Sequence, residues 1–370
     1  MKDRVPQHPG RVRLSPVSGQ PNVYDMTLED GATQVGTNLN KANLLDDTTA
    51  ASLGLTSSDP TVNEALYALS QKVYSEIRVR CDASTTATMS KSGTTMTATA
   101  NSSGIATFRT NEIGTWTVSG TIFGSSFSKS FVVDKIGILY CYPFTVGGSL
   151  EETSWTDISR IARLGMAKDY FAIGDTKTLT ISSVTYSAQI IGFDHDTPQN
   201  TTTYKRSKAG ITFQLVGTHD TTAKMNNSQG NWGSWESSAM RTSTMSTLLT
   251  QLPSALTSVL ASVNKLTSQG DQYGQSHVTQ IITTSDKLFL LSEIEVFGTN
   301  SHSYASEGSQ YDWFKAGNSK IKYLNDIVQA WLLRSPASTN YNSFCCVSTS
   351  GTSSIDPSNY SKSVSFAFCI

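Results

Sequence analysis

Charge is what this chain has least of: only 15% of its 370 residues are Asp, Glu, Lys or Arg, and the net charge is −1. An average soluble domain carries roughly 25%. Nucleic-acid binding needs a basic stripe to displace counterions from phosphates, so this composition argues against that class. No apolar run approaches the ~18 residues of a membrane-spanning helix. The basic start, residues 1–14, lacks the apolar core of a signal peptide, so a soluble protein made in the cytosol is expected. The five cysteines (Cys81, Cys141, Cys345, Cys346, Cys369) are too few and too unevenly spaced for a disulfide framework, and none forms a C-x-x-C pair of the zinc-binding kind. Free or buried thiols are expected, or one bridge in the C-terminal region. The histidines (His8, His195, His219, His277, His302) make no H-x-x-x-H pattern, and no paired carboxylates mark a glycosidase site. Asp194-His195-Asp196 is the most tempting metal or imidazole cluster. In a strand, however, neighbours face opposite sides, which sets His195 against both aspartates and predicts a solvated strand end. Enzymatic chemistry is not expected, and neither is a cofactor.

Serine and threonine crowd every segment instead, as they do in β-rich extracellular or virion-surface proteins. The length predicts two or three domains. Residues 1–58 hold Pro6, Pro9, Pro16 and Pro21 without regular apolar periodicity, so an extended arm is expected. Asp59 suits an N-cap and Pro60 the first helical position, and Val62, Leu66, Leu69 and Val73 fall on one stripe. That stripe fits a short trimeric bundle or docking on the next domain. The phrase Gly36-Thr37-Asn38-Leu39-Asn40-Lys41-Ala42-Asn43-Leu44-Leu45-Asp46 resembles the N-terminal segment of tail-associated proteins from phages and prophages of Gram-positive bacteria. The resemblance implies attachment to other tail proteins over residues 1–76.

From 77 to 136 the period becomes two. Ile77, Val79 and Cys81, then Met96, Ala98 and Ala100, Ile105 to Phe108, Trp116 and Val118, and Phe127, Phe131 and Val133 form short runs separated by turns such as Asn101-Ser102-Ser103-Gly104. Short strands at roughly ten-residue spacing predict a small β-sandwich. Gly104-Ile105-Ala106-Thr107-Phe108 with Gly114-Thr115-Trp116-Thr117-Val118 resembles disulfide-free bacterial and phage Ig-like modules, which implies a spacer.

Residues 137–370 read as α+β. Ser154 and Asp157 suit a capping box for a helix ended by Gly165, with Glu151 and Glu152 favouring its dipole. Strands are expected at 178–181, 186–193 and 211–216, a loop at 231–241 leading into a helix that reaches Leu249 and continues over 253–265, and buried strands at 287–291 and 294–297. The last forty residues frame a tract of assorted small side chains between Trp331-Leu332-Leu333-Arg334-Ser335-Pro336 and the apolar Val364, Phe366, Phe368 and Ile370. Three further phrases are Gly174-Asp175-Thr176-Lys177, the W-x-x-S-x-x-R spacing of Trp235, Ser238 and Arg241, and Phe289-Leu290-Leu291-Ser292-Glu293. Together with the frame they resemble phage and bacterial surface domains of the C-type-lectin fold, in its formylglycine-generating-enzyme-like branch.

That branch includes targets of diversity-generating retroelements, among them phage receptor-binding proteins of the major tropism determinant kind. The resemblance implies a variable ligand-facing surface at Tyr341, Asn342, Ser343, Cys346, Ser348, Ser350, Thr352, Ser354, Ile355, Asp356, Asn359 and Tyr360, because these residue types are what adenine-directed mutagenesis produces. Tyr341 and Tyr360 suit anchors amid adaptable Ser and Asn, whereas Trp232, Trp235 and Trp331 read as packing residues. The chain departs from the family at Val364-Ser365-Phe366-Ala367-Phe368, where relatives commonly end in Val-Arg-Pro-Ala-Phe, which leaves the role of Ser365 open. The expectation is a multidomain virion protein with an N-terminal arm and helix (1–76), an all-β Ig-like sandwich (77–136) and an α+β C-type-lectin-like domain (137–370). It would bind a bacterial cell-surface receptor, as a homotrimer, with a structural calcium possible in the head; the alternative is a structural tail or baseplate component.

Overall fold

Strands outweigh short helices throughout the computed structural model, which describes residues 12–19, 21–28, 47–56, 62–272 and 280–370. The arm is not uniformly extended. Strands β1 (Val12–Pro16) and β2 (Tyr24–Leu28) pair as an antiparallel ribbon whose register puts Leu14 opposite Met26 and Pro16 opposite Tyr24. Helices α1 (Asp47–Leu53) and α2 (Val62–Lys72) follow. On α2, Leu66 and Leu69 are exposed, as is Val73 just beyond it, so the described residues leave these three positions of the stripe uncovered. The phrase at 36–46 and the Asp59-Pro60 cap lie outside the described residues.

The next strands are β3 (Ser75–Arg80), β4 (Thr86–Lys91), β5 (Thr94–Thr99), β6 (Ile105–Thr110), β7 (Gly114–Ile122), β8 (Ser125–Val133) and β9 (Gly137–Cys141). They form a three-stranded sheet, β6-β3-β9, and a four-stranded sheet, β5-β4-β7-β8. Strand β4 escaped the sequence reading because its Thr and Ser dilute the apolar alternation, and β9 because its run Ile138-Leu139-Tyr140-Cys141 does not alternate. Strand β9 pairs in parallel with β3, which carries the sheet past residue 136. Alternate residues are buried as period two requires: Ile77, Val79, Phe108, Trp116 and Val118 are all essentially inaccessible. By contacts the chain divides into two compact units. The smaller comprises the chain up to Val79 with Thr86–Val118 and Ser130–Cys141; the larger comprises Arg80–Thr85, Ser119–Lys129 and Tyr142–Ile370.

In the larger unit α3 (Trp155–Leu164) starts and stops where its caps dictate. Ser154 Oγ accepts from the Asp157 N–H at 3.1 Å, and Gly165 takes the left-handed conformation (φ 79°). Replacing Ser154 with alanine is expected to cost ~1 kcal/mol, which calorimetry should read as a melting point lower by about 2–4 °C. After α4 (Ala167–Tyr170) come β10 (Thr176–Ile181), β11 (Val184–Phe193), β12 (Thr197–Pro198), α5 (Thr201–Tyr204) and β13 (Ile211–Leu215). Next are α6 (Ser234–Ser237), a π-helical segment (Met240–Met245), α7 (Ser246–Gln251) and α8 (Ser254–Thr257). Strands β14 (Val263–Ser268), β15 (Ile281–Asp286) and β16 (Leu288–Phe289) precede α9 (Glu293–Phe297) and α10 (Asp312–Lys315). The chain ends with β17 (Lys322–Leu324), β18 (Ile327–Gln329), β19 (Trp331–Pro336), β20 (Ser343–Val347), β21 (Ser353–Pro357) and β22 (Ala367–Cys369).

Two expectations are corrected. The helix expected over 253–265 stops after α8, and β14 takes over with Val263, Lys265 and Thr267 turned inward; a buried lysine disguised the alternation. The strand expected at 294–297 is α9, where Ser292 and Glu295 form a capping box and Gly298 ends the helix in the left-handed conformation, so local cap chemistry outweighs the apolar run.

The principal sheet runs β10-β11-β13-β22-β16. The last strand therefore lies inside it, between β13 and β16, and Trp155 of α3 packs edge-on against Phe213 and Phe368. Both faces are covered, so residues 363–370 are buried without alternation. Ser365 has a definite role there, donating from Oγ to the Leu215 carbonyl at 3.2 Å.

Candidate ligand-display surface

The Arg334 guanidinium is fully buried and spends its donors on five partners. It pairs with both carboxylate oxygens of Glu295, and it donates to Thr267 Oγ1 at 3.1 Å and to the carbonyls of Leu266 (3.1 Å), Leu290 (2.9 Å) and Glu307 (3.0 Å). Lys265 Nζ, equally buried, bridges Glu295 Oε1 at 2.7 Å and Asp196 Oδ1 at 2.6 Å. Burial opposes ionisation of Asp196 and Glu295, but the cations beside them more than offset it: Lys265 for Asp196, Arg334 and Lys265 for Glu295. Both carboxyls are held below their ordinary range. One further carboxyl, Glu307, accepts from the Ser268 N–H at 2.8 Å and from Ser335 Oγ, and burial pushes it up to about 7. Two cations thus balance two ionised carboxylates, with Glu307 as the group left over.

The W-x-x-S-x-x-R spacing serves the same frame. Trp235 Nε1 and Arg241 Nε converge on the two oxygens of Asp286 at 2.9 and 2.6 Å, while Ser238 Oγ accepts from the Arg241 N–H and donates to the Trp235 carbonyl. Asn231, also fully buried, holds the loop that enters β20. Its amide group donates to the carbonyls of Ala337, Asn340 and Ser343 at 3.0–3.1 Å, and its backbone N–H donates to Tyr341 O at 2.7 Å. Glu293 accepts from the N–H groups of His302 and Ser303 and from Ser353 Oγ, which ties β21 to α9.

On this frame β19, β20 and β21 form a three-stranded antiparallel sheet. The twelve residues expected to face a ligand do not share one surface. Tyr341 and Tyr360 are exposed and Asn342 and Asn359 half-buried; Ser358, whose N–H donates to Asn342 O at 2.8 Å, holds these four at one end of the hairpin. At the other end Ser348, Ser350 and Thr352 join their hydroxyls in a mutual triangle of 2.7–3.3 Å. The five residues of β21 lie between Thr352 and Ser358 and separate the ends by roughly 20 Å at the usual strand rise. Ser354 and Asp356 share one strand face, and Asp356 pairs with Lys362 at 3.1 Å.

Three of the twelve are corrected. Ile355 lies on the opposite strand face from Ser354 and Asp356 and packs against the core, as period two demands. Ser343 and Cys346 are buried because β20 is the central strand. Cys346 Sγ donates to Asp356 Oδ2 at 3.1 Å, and burial, reinforced by that carboxylate, pushes the thiol up to about 12. All five cysteines are buried, and none is in a disulfide.

Sequence reasoning missed two features. Trp232, read as packing, is 40% exposed, next to the Asn231 whose N–H meets Tyr341 O. A tryptophan flanked by Asn231 and Gly233 and lacking apolar neighbours was the available signal. Asp196, read as solvated, lies within the core. It accepts from Tyr311 (2.9 Å) and Thr212 (2.7 Å) besides Lys265, while Asp194 stays outside on Arg206 and Lys168. Among the described residues no group of three metal-ligating side chains comes together, and no helix is long and apolar enough to cross a membrane.

Residues 199–370 match a family described as a domain of unknown function, DUF6273. The match spans Lys265, Glu295, Glu307 and Arg334 and the strands β19 to β21, and leaves out Asp196. No curated protein and no solved structure matches the chain.

Proposed function

We propose that the chain is a phage-derived host-attachment protein: an N-terminal arm that joins it to a tail structure, an Ig-like spacer, and a C-type-lectin-like head whose C-terminal hairpin meets a bacterial surface receptor. The observation that carries this reading is the contrast within residues 331–360. Exposed Tyr341 and Tyr360, with Trp232 nearby in the backbone, stand at one end of a hairpin whose underlying frame is fully buried and hydrogen-bonded. Rigid aromatic anchors beside small polar side chains suit recognition, since they bury large area at low entropic cost. Side chains on β21 and its turns can change without disturbing Arg334, Glu295 or Asn231, as a diversified binding surface requires. The exposed stripe of α2 supports self-association, for which a homotrimer would add avidity.

Two measurements test the reading. Tyr341→Ala and Tyr360→Ala are each expected to weaken binding to host cells about tenfold, an anchor cost of ~1–2 kcal/mol, with the melting point unchanged. Exchange of residues 339–361 between natural variants should move host range, and the neighbouring genome should hold a reverse transcriptase with a near-copy template differing at adenines. Host binding indifferent to all these changes would instead mark a structural tail component, and a monomer by light scattering would remove the trimer.

A further inference from the structure

Away from the hairpin, the larger unit holds a cavity of about 300 Å³ lined by Arg160, Arg163, Phe123, Asn200, Thr203 and Tyr204 among others, with no aspartate or glutamate in its wall. That volume is at the lower end of small-ligand sites. The Arg163 guanidinium lies 4.0 Å from the centre of the Phe123 ring and 5.5 Å from that of Tyr204. It donates to two carbonyls, Thr203 O at 2.9 Å and Tyr204 O at 3.2 Å. The carboxylate it senses, Asp82, is committed to the N–H groups of Phe123 and Gly124 at 2.9 and 2.8 Å. Burial accordingly makes the Arg163 cation costly, lowering its proton affinity. Arg160 reaches Asp157 only at 3.5 Å and otherwise donates to Ser126 O at 3.0 Å. Each guanidinium has five N–H donors, and these four contacts leave several for a ligand.

We propose that this cavity binds an anionic sugar residue, one bearing a carboxylate or a phosphate. Guanidinium groups recognise both anions through paired N–H donors, and an anion there would neutralise a charge that the wall leaves uncompensated. Arg163 covers one face of the Phe123 and Tyr204 rings, and Ile122, Val259 and Leu260 in the same wall provide an apolar surface for the C–H face of a sugar. Asn200 uses its carbonyl oxygen to cap α5, accepting from the Thr203 N–H at 2.8 Å, which leaves its amide NH₂ as a donor for sugar hydroxyls. The site lies apart from the hairpin residues and does not rest on their receptor role.

Isothermal titration of the full-length chain with glucose 6-phosphate, glucuronate, glucose and inorganic phosphate tests the proposal. At least one anionic sugar should bind with a Kd of about 1 mM or tighter, the range of a single small contact site, and at least tenfold more tightly than glucose or inorganic phosphate. Arg163→Gln and Arg160→Gln should each weaken it at least tenfold, while Tyr360→Ala leaves it unchanged. No heat from either anionic sugar at 10 mM, glucose binding as tightly, or phosphate alone accounting for the affinity would overturn the proposal. So would unaltered binding in Arg160→Gln, the variant that decides should Arg163→Gln fail to fold.

Discussion

Replacing Arg334 with alanine should destabilise the larger unit by about 3–5 kcal/mol, the usual cost of leaving a buried charge without its partner. In thermal unfolding of the full chain this should appear as a melting point lower by roughly 6–20 °C. The reason is geometric. Every donor of this guanidinium faces an acceptor, and its loss takes a donor from the carbonyls of Leu266, Leu290 and Glu307, the last of which keeps Ser292 Oγ, and from one side of Glu295. Lys265 stays on Glu295, so the carboxylate is not wholly abandoned, which favours the lower half of the range. Lysine cannot substitute: three donors on a flexible stem do not reproduce a planar fork, so Arg334→Lys should recover less than half of the loss. The decisive comparison is a double-mutant cycle with Glu295→Met. If Arg334 and Glu295 hold one another, the double variant Arg334→Met/Glu295→Met should be less damaged than the sum of the two singles by more than ~1 kcal/mol. Additive losses would mean that the pair is not coupled and that Arg334 acts by packing alone.

The phrases that stood out in the sequence are largely the parts of this frame, yet what they do was not legible there. Ser154, Asp157 and Gly165 could be placed because capping is local chemistry, readable within a dozen residues. The partnership of Arg334 with Glu295 and Lys265 joins positions 39 and 69 residues away, and nothing in local pattern states which charges will meet. The same distance problem concealed the place of β22, which lies between β16, about 80 residues earlier, and β13, about 155 residues earlier. Composition pointed to the right tract for exposed residues but not to the right side chains. Ile355 resembles its neighbours as a diversified residue, but the strand turns it inward; Trp232 resembles a core residue, but its loop turns it out. A strand register is a single bit of information that the residue types around 340–360, small and tolerant by nature, do not encode strongly.

Stability should fall as pH rises from about 4.5 to 7, and Glu307 should be the cause. Burial raises this carboxyl from 4.5 to about 7, against smaller opposing effects from the hydrogen bonds of Ser335 and Ser268 and the charge of Arg334. Between those pH values the folded chain holds a proton that the unfolded chain has released. The contribution is therefore complete below 4.5 and lost as pH passes 7, and between pH 5 and pH 8 it amounts to ~2–3 kcal/mol. Charge balance gives the same sign: with Glu307 neutral, Lys265 and Arg334 match Asp196 and Glu295, and its ionisation adds an uncompensated anion to the core. Lys322, which burial pushes down to about 7, acts in the opposite direction. From pH 7 to its unfolded value near 10.5 it makes stability rise with pH, so it offsets part of the Glu307 loss between pH 7 and pH 8, in wild type and variant alike. Glu307→Gln keeps the size of the side chain, with an amide oxygen to accept from Ser268 N and an NH₂ to donate to Ser335 Oγ. Urea unfolding followed by tryptophan fluorescence should show wild type losing stability between pH 5 and pH 8 and the glutamine variant losing ~2 kcal/mol less. Parallel pH profiles for the two proteins would mean that Glu307 is already ionised in the folded frame, and that Arg334 and its neighbours carry a net negative charge.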